Sequence, residues 1–469
     1  MATAGDPLYQ QLADRLAAMI RARALRAGDR LPSVRSFSRQ QRVSVPTALQ
    51  AYATLEARGE IEARPRSGFF VRARAADTVP TPTTPRTRPR KTDGAELDPF
   101  VAVLCDQADP ALVPLGAAVP GEDLLPVLAL QRSLSTIARR SPATIARYHA
   151  APGEYAYRQA IARRSLEWGC NLTPDDVIAT IGATEALSLA IEVVSNPGDT
   201  IVVESPMYFG LVRMLRDLRR NVLPVPVDPT TGVDLDLLEG ALRRTRVAAC
   251  VLTPNFHNPT GSLMPDAHRR AVVELLDTAG VPLIEDDVYG DLQHAGPRPR
   301  CLKADDRTGN VILCGSFSKT LAPGLRAGYI VPGRFYEQVL AVKRARTLGG
   351  TMPMLAVADF LRNGGYERHL RTMRRKLAGR VMRMREAVAE AFPEGTAVSR
   401  PAGGFVLWCA LPPGTDALRL FHRAKEAGIS VAPGGMFGTG FENCVRLNCG
   451  YAFTPRIAAA IRTLGRLAR

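Results

Sequence analysis

The stretch VILCGSFSKTLAPGLRAG, residues 311–328, gives the clearest indication of the fold class. It opens with a short apolar run and continues into small hydroxyl residues, a lysine and an arginine. An apolar run of this length, bounded by a polar segment with glycine and proline, is typical of a buried strand. Similar runs occur upstream as VIAT, TIVVES, AACVLTP and VPLIEDD, and helical stretches separate them. This alternation predicts a mostly parallel α/β sheet.

Polar segments follow each of these predicted strands. They read TIGATEAL, ESPMY, TPNFHNPTG, EDDVYGDL and SFSKTLAPGLRAG. In parallel α/β folds, functional groups lie beyond the carboxyl ends of the strands, which meet at one edge of the sheet. The sequence therefore predicts one functional site at this edge.

Lysine is scarce in this chain, which contains 55 arginines and only six lysines. One of the six, Lys319, directly follows the predicted strand at residues 311–316. Arginine cannot replace lysine in a Schiff base, because its guanidinium does not deprotonate in proteins. An ordinary surface lysine is the alternative, since five other lysines are also retained. The scarcity favours amine chemistry at Lys319.

Residues suited to a phosphate group lie near Lys319 in the predicted fold. Arg326 offers a cation, and Ser316 and Ser318 offer hydroxyl donors. The segment 182–184, Gly-Ala-Thr, precedes an apolar helix, so its backbone N–H groups could receive the same phosphate at a helix N-terminus. The pattern predicts a phosphate cradle next to the lysine.

The acidic triplet at residues 285–287 completes this set. Three clustered acids could bind Mg²⁺, or one carboxylate could hold a ring nitrogen in its protonated form. Asn258 and Tyr289 could both hydrogen-bond a phenolic oxygen, and Tyr208 could lie against a ring face. A lysine, a phosphate cradle, a ring-nitrogen carboxylate and phenol donors together indicate pyridoxal 5′-phosphate.

These motifs are similar to those of the fold-type I aminotransferases of class I and II, over about residues 115–447. The resemblance implies that Lys319 is the Schiff-base lysine and Asp286 the partner of the pyridine nitrogen. Arg446, in VRLNCG, would grip an α-carboxylate through its planar fork. The remaining cofactor contacts would come from Asn258, Tyr289, Tyr208, Ala183, Thr184, Ser316, Ser318, Arg326 and, reaching the phosphate of a neighbouring subunit, Tyr148. The last of these implies a dimer. Relatives often carry glycine at the position of Ala118, so its methyl group would narrow the space beside a substrate carboxylate.

Most of the excess positive charge lies at the other end of the chain. The formal net charge is +16, and residues 1–92 hold 17 Lys and Arg against seven Asp and Glu. Such a segment could be a disordered polycationic arm, a membrane-surface helix or a folded nucleic-acid module. With 469 residues the chain is long enough for more than one domain, so a separate folded module is feasible.

The N-terminal pattern favours the folded module. Apolar residues at helical spacing predict a first helix between Pro7 and Arg26, stopped at Gly28-Asp29. Ser33 and Ser44 are good N-caps for a second and a third helix, and the third is expected to end at Gly59. The sequence IEARPRSGFFV then predicts two short strands around a Pro-Arg-Ser-Gly turn. Three helices followed by a basic hairpin form a winged helix-turn-helix.

Residues 7–71 resemble the DNA-binding domain of the GntR family, on the stretches LPSVRSFS, VSVPTALQAYATLEARGEIEARPRSGFFV and PLYQQLADRL. The resemblance implies contacts with double-stranded DNA from the second helix, the start of the third helix and the wing. The corresponding residues here are Arg35, Ser44, Thr47, Gln50, Arg64, Arg66, Ser67 and Gly68. Relatives often have Arg or Asn where this chain has Val45-Pro46, so the bases that it reads are left open.

The resulting fold class is an N-terminal winged helix-turn-helix, mostly α with a β-wing, linked to an α/β transferase fold of type I. The predicted boundaries are residues 1–74 for the winged helix and 75–98 for a Pro/Thr/Arg-rich linker. The pyridoxal-phosphate domain would occupy residues 99–469, with a large part at about 150–345 and a small part at about 346–469, a smaller C-terminal α/β domain.

The chain as a whole resembles the MocR subfamily of GntR regulators. The resemblance implies a homodimeric transcriptional regulator that senses an amino acid or amine effector as an aldimine at Lys319 and reports it to an operator. A working aminotransferase is an alternative, because no catalytic group is visibly missing. A ligand-independent architectural DNA-binding dimer is another, against which the retained Lys319 and Asp286 count.

Composition limits the remaining classes. No stretch of 18 apolar residues occurs and the N-terminus lacks a signal pattern, so we expect no membrane association. The eight cysteines form no CxxC pair, so we expect no metal site and a reducing, cytoplasmic location.

Overall fold

The computed structural model describes residues 7–21, 24–64, 67–72, 80–82, 99–146, 150–346 and 349–469. The chain divides into two compact units, with the division between Val79 and Pro80.

The first unit is the predicted winged helix. Its elements are α1 (Leu8–Arg21), α2 (Val34–Gln41), α3 (Val45–Ala57), β1 (Ile61–Arg64) and β2 (Gly68–Val71). The two predicted N-caps are confirmed, because Ser33 Oγ accepts from Ser36 N and Ser44 Oγ accepts from Thr47 N. Strands β1 and β2 pair antiparallel with Arg64 opposite Gly68. The helix-turn-helix and its wing therefore form as the sequence predicts.

Two details of α1 differ from the prediction. The helix ends at Arg21, before the predicted stop at Gly28-Asp29. Leu8 and Met19, which fit the apolar spacing, are 53% and 41% exposed, whereas Leu12 and Leu16 pack into the core. The small core of this unit is filled by one narrow stripe of the helix, so the outer members of the pattern stay in solvent.

The second unit contains more helices and strands than the first. Its helices are α4 (Pro99–Asp106), α5 (Val127–Arg140), α6 (Ala143–Ala146), α7 (Tyr155–Ser165), α8 (Ala183–Val194), α9 (Phe209–Asp217), α10 (Leu235–Arg244), α11 (Asp266–Thr278), α12 (Tyr336–Arg344), α13 (Thr351–Arg362), α14 (Gly365–Ala391), α15 (Ala417–Glu426) and α16 (Pro455–Leu467). Its strands are β3 (Val113–Pro114), β4 (Ile178–Thr180), β5 (Thr200–Ser205), β6 (Asn221–Asp228), β7 (Gly232–Val233), β8 (Val247–Leu252), β9 (Leu283–Asp286), β10 (Val311–Ser316), β11 (Gly328–Val331), β12 (Ala397–Val398), β13 (Val406–Ala410), β14 (Ile429–Ser430), β15 (Ala432–Pro433) and β16 (Cys444–Asn448).

An eight-stranded sheet forms the centre of this unit, in the order β4-β11-β10-β9-β8-β5-β6-β7. The five predicted strands β4, β5, β8, β9 and β10 are all present. The pairs β10–β9, β9–β8, β8–β5 and β5–β6 are parallel. Strand β11 is antiparallel to both of its neighbours. The sheet is therefore mostly parallel, as predicted, with β11 reversed in its interior and β7 antiparallel to β6 at its edge.

Apolar residues bury both faces of the sheet. One cluster packs α8 against Ile201, Val203, Ile284 and Ile312, and the other packs α10 and α11 against Val202 and neighbouring side chains. Strands covered on both faces are near-continuous in Val, Ile and Leu, which is why the runs are so apolar in the sequence.

A smaller antiparallel sheet, in the order β12-β13-β16-β15, lies in the C-terminal part. Strand β16 carries Arg446 opposite Trp408 of β13 and Ala432 of β15. This arrangement agrees with the predicted smaller C-terminal α/β part.

The predicted linker, residues 75–98, lies mostly outside the described residues. Within it, Pro80 belongs to the second unit, and its carbonyl oxygen accepts from Val398 N at 2.9 Å. At this point the chain is therefore held by a backbone hydrogen bond, where the sequence predicted a tether along the whole segment.

Candidate active site

Lys319 lies three residues beyond the end of β10, at the edge where the parallel strands end. Its Nζ donates to the Ala118 carbonyl oxygen at 2.7 Å. Burial and the positive charges of Arg446 and Arg326 lower the pKa of the Lys319 amine to about 8, although Asp286 opposes the change. Its pKa is therefore close enough to neutrality for a useful fraction of the amine to be unprotonated.

The acidic triplet ends the neighbouring strand β9, and its three carboxylates have different surroundings. Glu285 accepts from Leu302 N at 2.7 Å and from Lys303 N at 2.9 Å. Asp287 accepts from Asn255 Nδ2 at 2.8 Å and forms an ion pair with Arg298. The outer two acids therefore hold surrounding loops together.

Asp286 differs from its two neighbours. It is 8% exposed, and its Oδ1 has no hydrogen-bond partner among the described residues. Burial first and the adjacent Asp287 second raise the pKa of the Asp286 carboxyl to about 7. A buried carboxylate oxygen without a donor is costly, so this atom is suited to a ligand that brings a proton to it.

Asn258, Tyr289 and Arg446 form a second group. Arg446 is fully buried, its Nη1 donates to Asn258 Oδ1 at 3.0 Å, and another nitrogen donates to the Gly116 carbonyl oxygen. Its Nε has no partner among the described residues. Burial lowers the pKa of the guanidinium to about 10, which nearby Tyr289 and Tyr208 partly offset. Asn258 also hydrogen-bonds Tyr289. This is a desolvated cation whose hydrogen-bonding capacity is not fully used.

Aromatic rings surround the buried guanidinium. Arg446 lies 5.5 Å from the Phe209 ring centroid and 5.2 Å from that of Phe437. Tyr208 precedes α9 and packs on Phe209, with ring centroids 5.0 Å apart. The negative charge of Asp286 helps burial to raise the pKa of Tyr208, so this phenol lies near the carboxylate. The predicted ring-stacking tyrosine is thus close to Asp286.

The predicted phosphate cradle is assembled from two segments. Helix α8 begins at Ala183, and Thr184 follows in its first turn, with no side chain capping the N-terminus. Arg326 Nη2 donates to the Ile181 carbonyl oxygen at 2.8 Å, and its Nη1 lies 3.5 Å from Ser318 Oγ. Ser316 Oγ donates to Ser318 Oγ at 2.9 Å.

Gly182 allows this close approach. Its φ is +114°, and a Cβ added there would lie 2.6 Å from Arg326 Nη2. Only glycine leaves room for the guanidinium beside the helix N-terminus. Orphan backbone N–H groups, two hydroxyls and a guanidinium therefore face the same small region, which suits a phosphate.

Two residues that the sequence did not reveal hold the segment next to Lys319. Tyr366 of α14 donates to Asp291 Oδ2 at 2.9 Å, and its hydroxyl oxygen lies 2.9 Å from Thr320 Oγ1, which donates to it. His369 Nε2 lies 2.6 Å from the Thr320 carbonyl oxygen, so this nitrogen carries the proton. These contacts join residues far apart in the chain, so no local sequence pattern predicts them.

The chemistry of the residues that the structure describes at this site fits pyridoxal phosphate. The partnerless Asp286 oxygen suits a pyridinium N–H, and the region around Gly182 and Arg326 suits a phosphate. Tyr148 lies outside the described residues, as does Arg66 of the wing.

The predicted DNA contacts lie on the first unit. Arg35, Ser44, Gln50, Ser67 and Gly68 are exposed and Thr47 is partly exposed. Arg64 forms an ion pair with Glu62 at 2.8 Å and lies over the Phe70 ring. Gly68 has φ +102°, a left-handed conformation that glycine adopts at low cost. The wing turn therefore needs a glycine for its own geometry.

Neither a membrane-spanning helix nor a metal-binding cluster occurs among the residues that the structure describes. No helix there is long and apolar enough to cross a membrane. No cluster of three or more His, Cys, Asp or Glu there could hold a metal ion.

Comparisons with known proteins match both units. Residues 8–71 match the family of bacterial regulatory proteins called gntR, and residues 115–457 match the aminotransferase class I and II family. The HTH-type transcriptional regulator YjiR of Escherichia coli is 37% identical over 97% of this chain and 98% of its own length. The 2-aminoadipate transaminase of Thermus thermophilus is 31% identical over 76% of this chain and 90% of its own length.

Comparison with solved structures agrees with the aminotransferase match. The crystal structure of LysN, the α-aminoadipate aminotransferase of Thermus thermophilus complexed with N-(5′-phosphopyridoxyl)-L-leucine, aligns with a TM-score of 0.74 and 28% identity. The alignment covers 80% of this chain and 95% of LysN. The chain therefore belongs to the MocR subfamily of GntR-family regulators, in which a GntR winged helix precedes an aminotransferase-like domain of class I and II.

Proposed function

We propose that this protein is a pyridoxal-phosphate-dependent, DNA-binding transcriptional regulator that senses an amino acid or amine. The observation that carries the proposal is the partnerless buried oxygen of Asp286, on the same sheet edge as a lysine of lowered pKa. This edge occurs in a chain that also contains a winged helix.

The cofactor would be held by the residues already described. Asp286 would accept from the pyridine nitrogen, and Tyr208 would lie against the ring. The α8 N-terminus, Ser318 and Arg326 would bind the phosphate. Bound pyridoxal phosphate supplies an aldehyde carbon that primary amines attack reversibly. The phosphopyridoxyl-leucine held by LysN supports this assignment.

Lys319 and Arg446 would recognise the effector. The lowered pKa of the Lys319 amine leaves part of it unprotonated near neutral pH, so it can exchange with an incoming amine. Arg446 would receive a carboxylate, because its Nε has no partner and its environment is dry. Its current partners, the Asn258 amide oxygen and the Gly116 carbonyl oxygen, are neutral, so a carboxylate would bind it more strongly.

Displacement of Lys319 from the cofactor by the effector would change the contacts of the segment around Lys319. Thr320 is hydrogen-bonded to Tyr366 and His369 of α14. A displacement of Lys319 would therefore be transmitted through Thr320 to this long helix. A ligand alters DNA binding only if it stabilises one arrangement of the protein over another. We assign this differential contact to the Thr320–α14 connection.

We further propose a cytoplasmic homodimer with the domain boundaries 1–74, 75–98 and 99–469. Two tethered winged helices gain avidity when both half-sites are engaged together. Tyr148 would complete the phosphate site of the partner subunit.

Titration of the cofactor-loaded protein with amino acids and amines tests this proposal. We expect one compound to shift the visible absorption of the bound cofactor and also to change affinity for upstream operator DNA. A Lys319→Ala variant should lose both responses, whereas Arg243→Ala, which removes an exposed cation of α10, should keep both. Normal DNA responses in Lys319→Ala would contradict the proposal.

The alternative is a working aminotransferase with an appended DNA-binding domain. The favourable observation is that Lys319, Asp286 and Arg446 lie in one connected region, with the lysine pKa lowered. The 2-aminoadipate transaminase relative is consistent with it. Rapid release of a keto acid, together with DNA affinity that no amine changes, would favour the enzyme.

A further inference from the structure

Helix α3 carries apolar side chains on the face that points away from its own core. Val45 is 45% exposed and Leu49 is 51% exposed, and exposed Pro46 lies beside them. The opposite face is fully packed, through Ala48, Ala51, Tyr52 and Leu55. The exposed pair therefore has no role in the core of this unit.

The polar groups at the start of α3 are already engaged. Ser44 Oγ accepts from Thr47 N at 3.2 Å and lies 2.7 Å from Thr47 Oγ1. Gln50 is exposed, and its side-chain amide has no hydrogen-bond partner among the residues that the structure describes. The outer face of the helix thus presents two apolar side chains and one side-chain amide, whose carbonyl oxygen can accept and whose NH2 group can donate a hydrogen bond.

Positive charge lies on the segments that directly precede this helix in the chain. Arg30, Arg35, Arg39 and Arg42 are all exposed and form no ion pair with another described residue. Four guanidinium groups without acidic partners complement a polyanion and disfavour a second copy of the same basic surface. The occupant of the apolar face must therefore combine phosphates with apolar groups.

The thymine 5-methyl is the apolar group that the major-groove edge of DNA presents. Side chains at i and i+4 of a helix are about 5–6 Å apart, and base pairs are stacked about 3.4 Å apart. Val45 and Leu49 could therefore touch methyl groups one or two base pairs apart. The Gln50 amide matches the N6 and N7 atoms of adenine, which pairs with thymine.

We infer that Val45 and Leu49 read thymine methyl groups in the major groove, and that Gln50 reads an adenine of the same A·T-containing half-site. This inference rests on the proposed DNA-binding function. It replaces the predicted base contacts of Ser44, whose hydroxyl caps the helix, and of Thr47, whose hydroxyl is bonded to that of Ser44.

The test begins with selection of 30-base-pair duplexes from a random pool by the full-length, cofactor-loaded protein. The selected duplex is then compared with the same duplex containing deoxyuridine, which lacks only the 5-methyl group, in place of thymine. Burying one methyl group corresponds to about fourfold in affinity. We expect fluorescence anisotropy to show about fourfold weaker binding for each contacted thymine that is replaced.

Variants distinguish the reading of methyl groups from a general change in the DNA. Leu49→Ala should bind the thymine duplex more weakly and lose about fourfold in its preference for thymine over uracil. Gln50→Ala should bind both duplexes more weakly and keep that preference. Leu8→Ala, which truncates an equally exposed leucine on α1, should match the wild-type protein.

The inference is overturned if the selected site lacks thymine, if the wild-type protein does not distinguish thymine from uracil, or if Leu49→Ala keeps the full preference. A change in oligomeric state of Leu49→Ala with an intact preference would likewise overturn it, in favour of contact between copies. If no duplex is retained above non-specific binding, the proposed function itself fails.

Discussion

Replacing Asp286 by asparagine should stabilise the cofactor-free protein and weaken its hold on the cofactor. The pKa of this carboxyl is raised from 3.8 to about 7, mainly by burial. Each tenfold change in proton affinity corresponds to about 1.4 kcal/mol. Ionised Asp286 therefore costs the cofactor-free fold up to about 4 kcal/mol at pH 7 and above.

The sign of the pH dependence follows from the direction of the change. Below about pH 4 the carboxyl is protonated in the folded and unfolded states, so it costs nothing. Between about pH 4 and pH 7 the unfolded state loses its proton first, and the folded state loses stability. Above pH 7 the cost is constant. The difference in stability between Asp286→Asn and the wild-type protein should therefore grow over this window.

Thermal unfolding of the two proteins across this pH range measures the effect. For a unit of about 390 residues, one kcal/mol moves Tm by about 1.2 °C, so the advantage of the variant should grow by about 5 °C. Added pyridoxal phosphate should reverse the order, because only the wild-type carboxylate has the negative charge that stabilises a protonated ring nitrogen, whereas the asparagine amide offers a weaker, neutral hydrogen bond. Asp287→Asn is the matched control, and it should destabilise the protein by about 3 kcal/mol because buried Arg298 loses a partner. A difference between Asp286→Asn and wild type that does not change with pH would refute the reasoning.

Three further substitutions test other contacts. Arg326→Gln should weaken binding of pyridoxal phosphate by about 10- to 100-fold, measured by fluorescence titration, because a charge-assisted phosphate contact contributes about 1.5–3 kcal/mol; unchanged affinity would exclude the assigned cradle. Tyr366→Phe should lower the free energy of unfolding by about 1–3 kcal/mol in urea, since it removes the hydrogen bonds to Asp291 and Thr320, and an unaltered midpoint would show that these bonds contribute nothing. Ser44→Ala should destabilise the winged helix by about 1 kcal/mol through loss of the α3 cap, seen in its thermal transition; a transition that does not move would count against the cap.

The sequence predicted those parts of the site that depend on local pattern. Lys319 follows a strand that is apolar because both sheet faces are covered, and lysine scarcity singled it out. Glycine at 182 and the helix after it marked one half of the phosphate cradle. The caps of α2 and α3 were likewise predictable, because an N-cap is satisfied within three residues.

Contacts between residues far apart in the chain determine the parts of the site that local sequence patterns could not predict. Which acid of the triplet is free depends on Leu302 and Lys303 N–H groups and on Arg298, all outside the local pattern. Arg446 meets Asn258 across 188 positions of the chain. No local signal could predict these meetings.

Strand β6 shows a different limit. Its sequence NVLPVPVD contains two prolines, which argue against a strand in the sheet interior. Pro224 and Pro226 have the same parity, so their nitrogens face the same side of the strand. Strand β7 pairs on one side of β6 only at Val227 and Asp228, so prolines are tolerated there. The two prolines therefore concealed this strand in the sequence. The position of β6 near the sheet edge explains why the strand tolerates them.

The central claim, that an amine bound at Lys319 changes DNA binding, is tested most directly by thermodynamic reciprocity. The measurement is the amine dissociation constant of the cofactor-loaded protein, taken from its visible absorption, with and without saturating operator DNA. We expect DNA to change the amine affinity by the same factor by which the amine changes DNA affinity, about 5- to 150-fold. A factor of one in the wild-type protein, or an unchanged factor in Lys319→Ala, would contradict the claim.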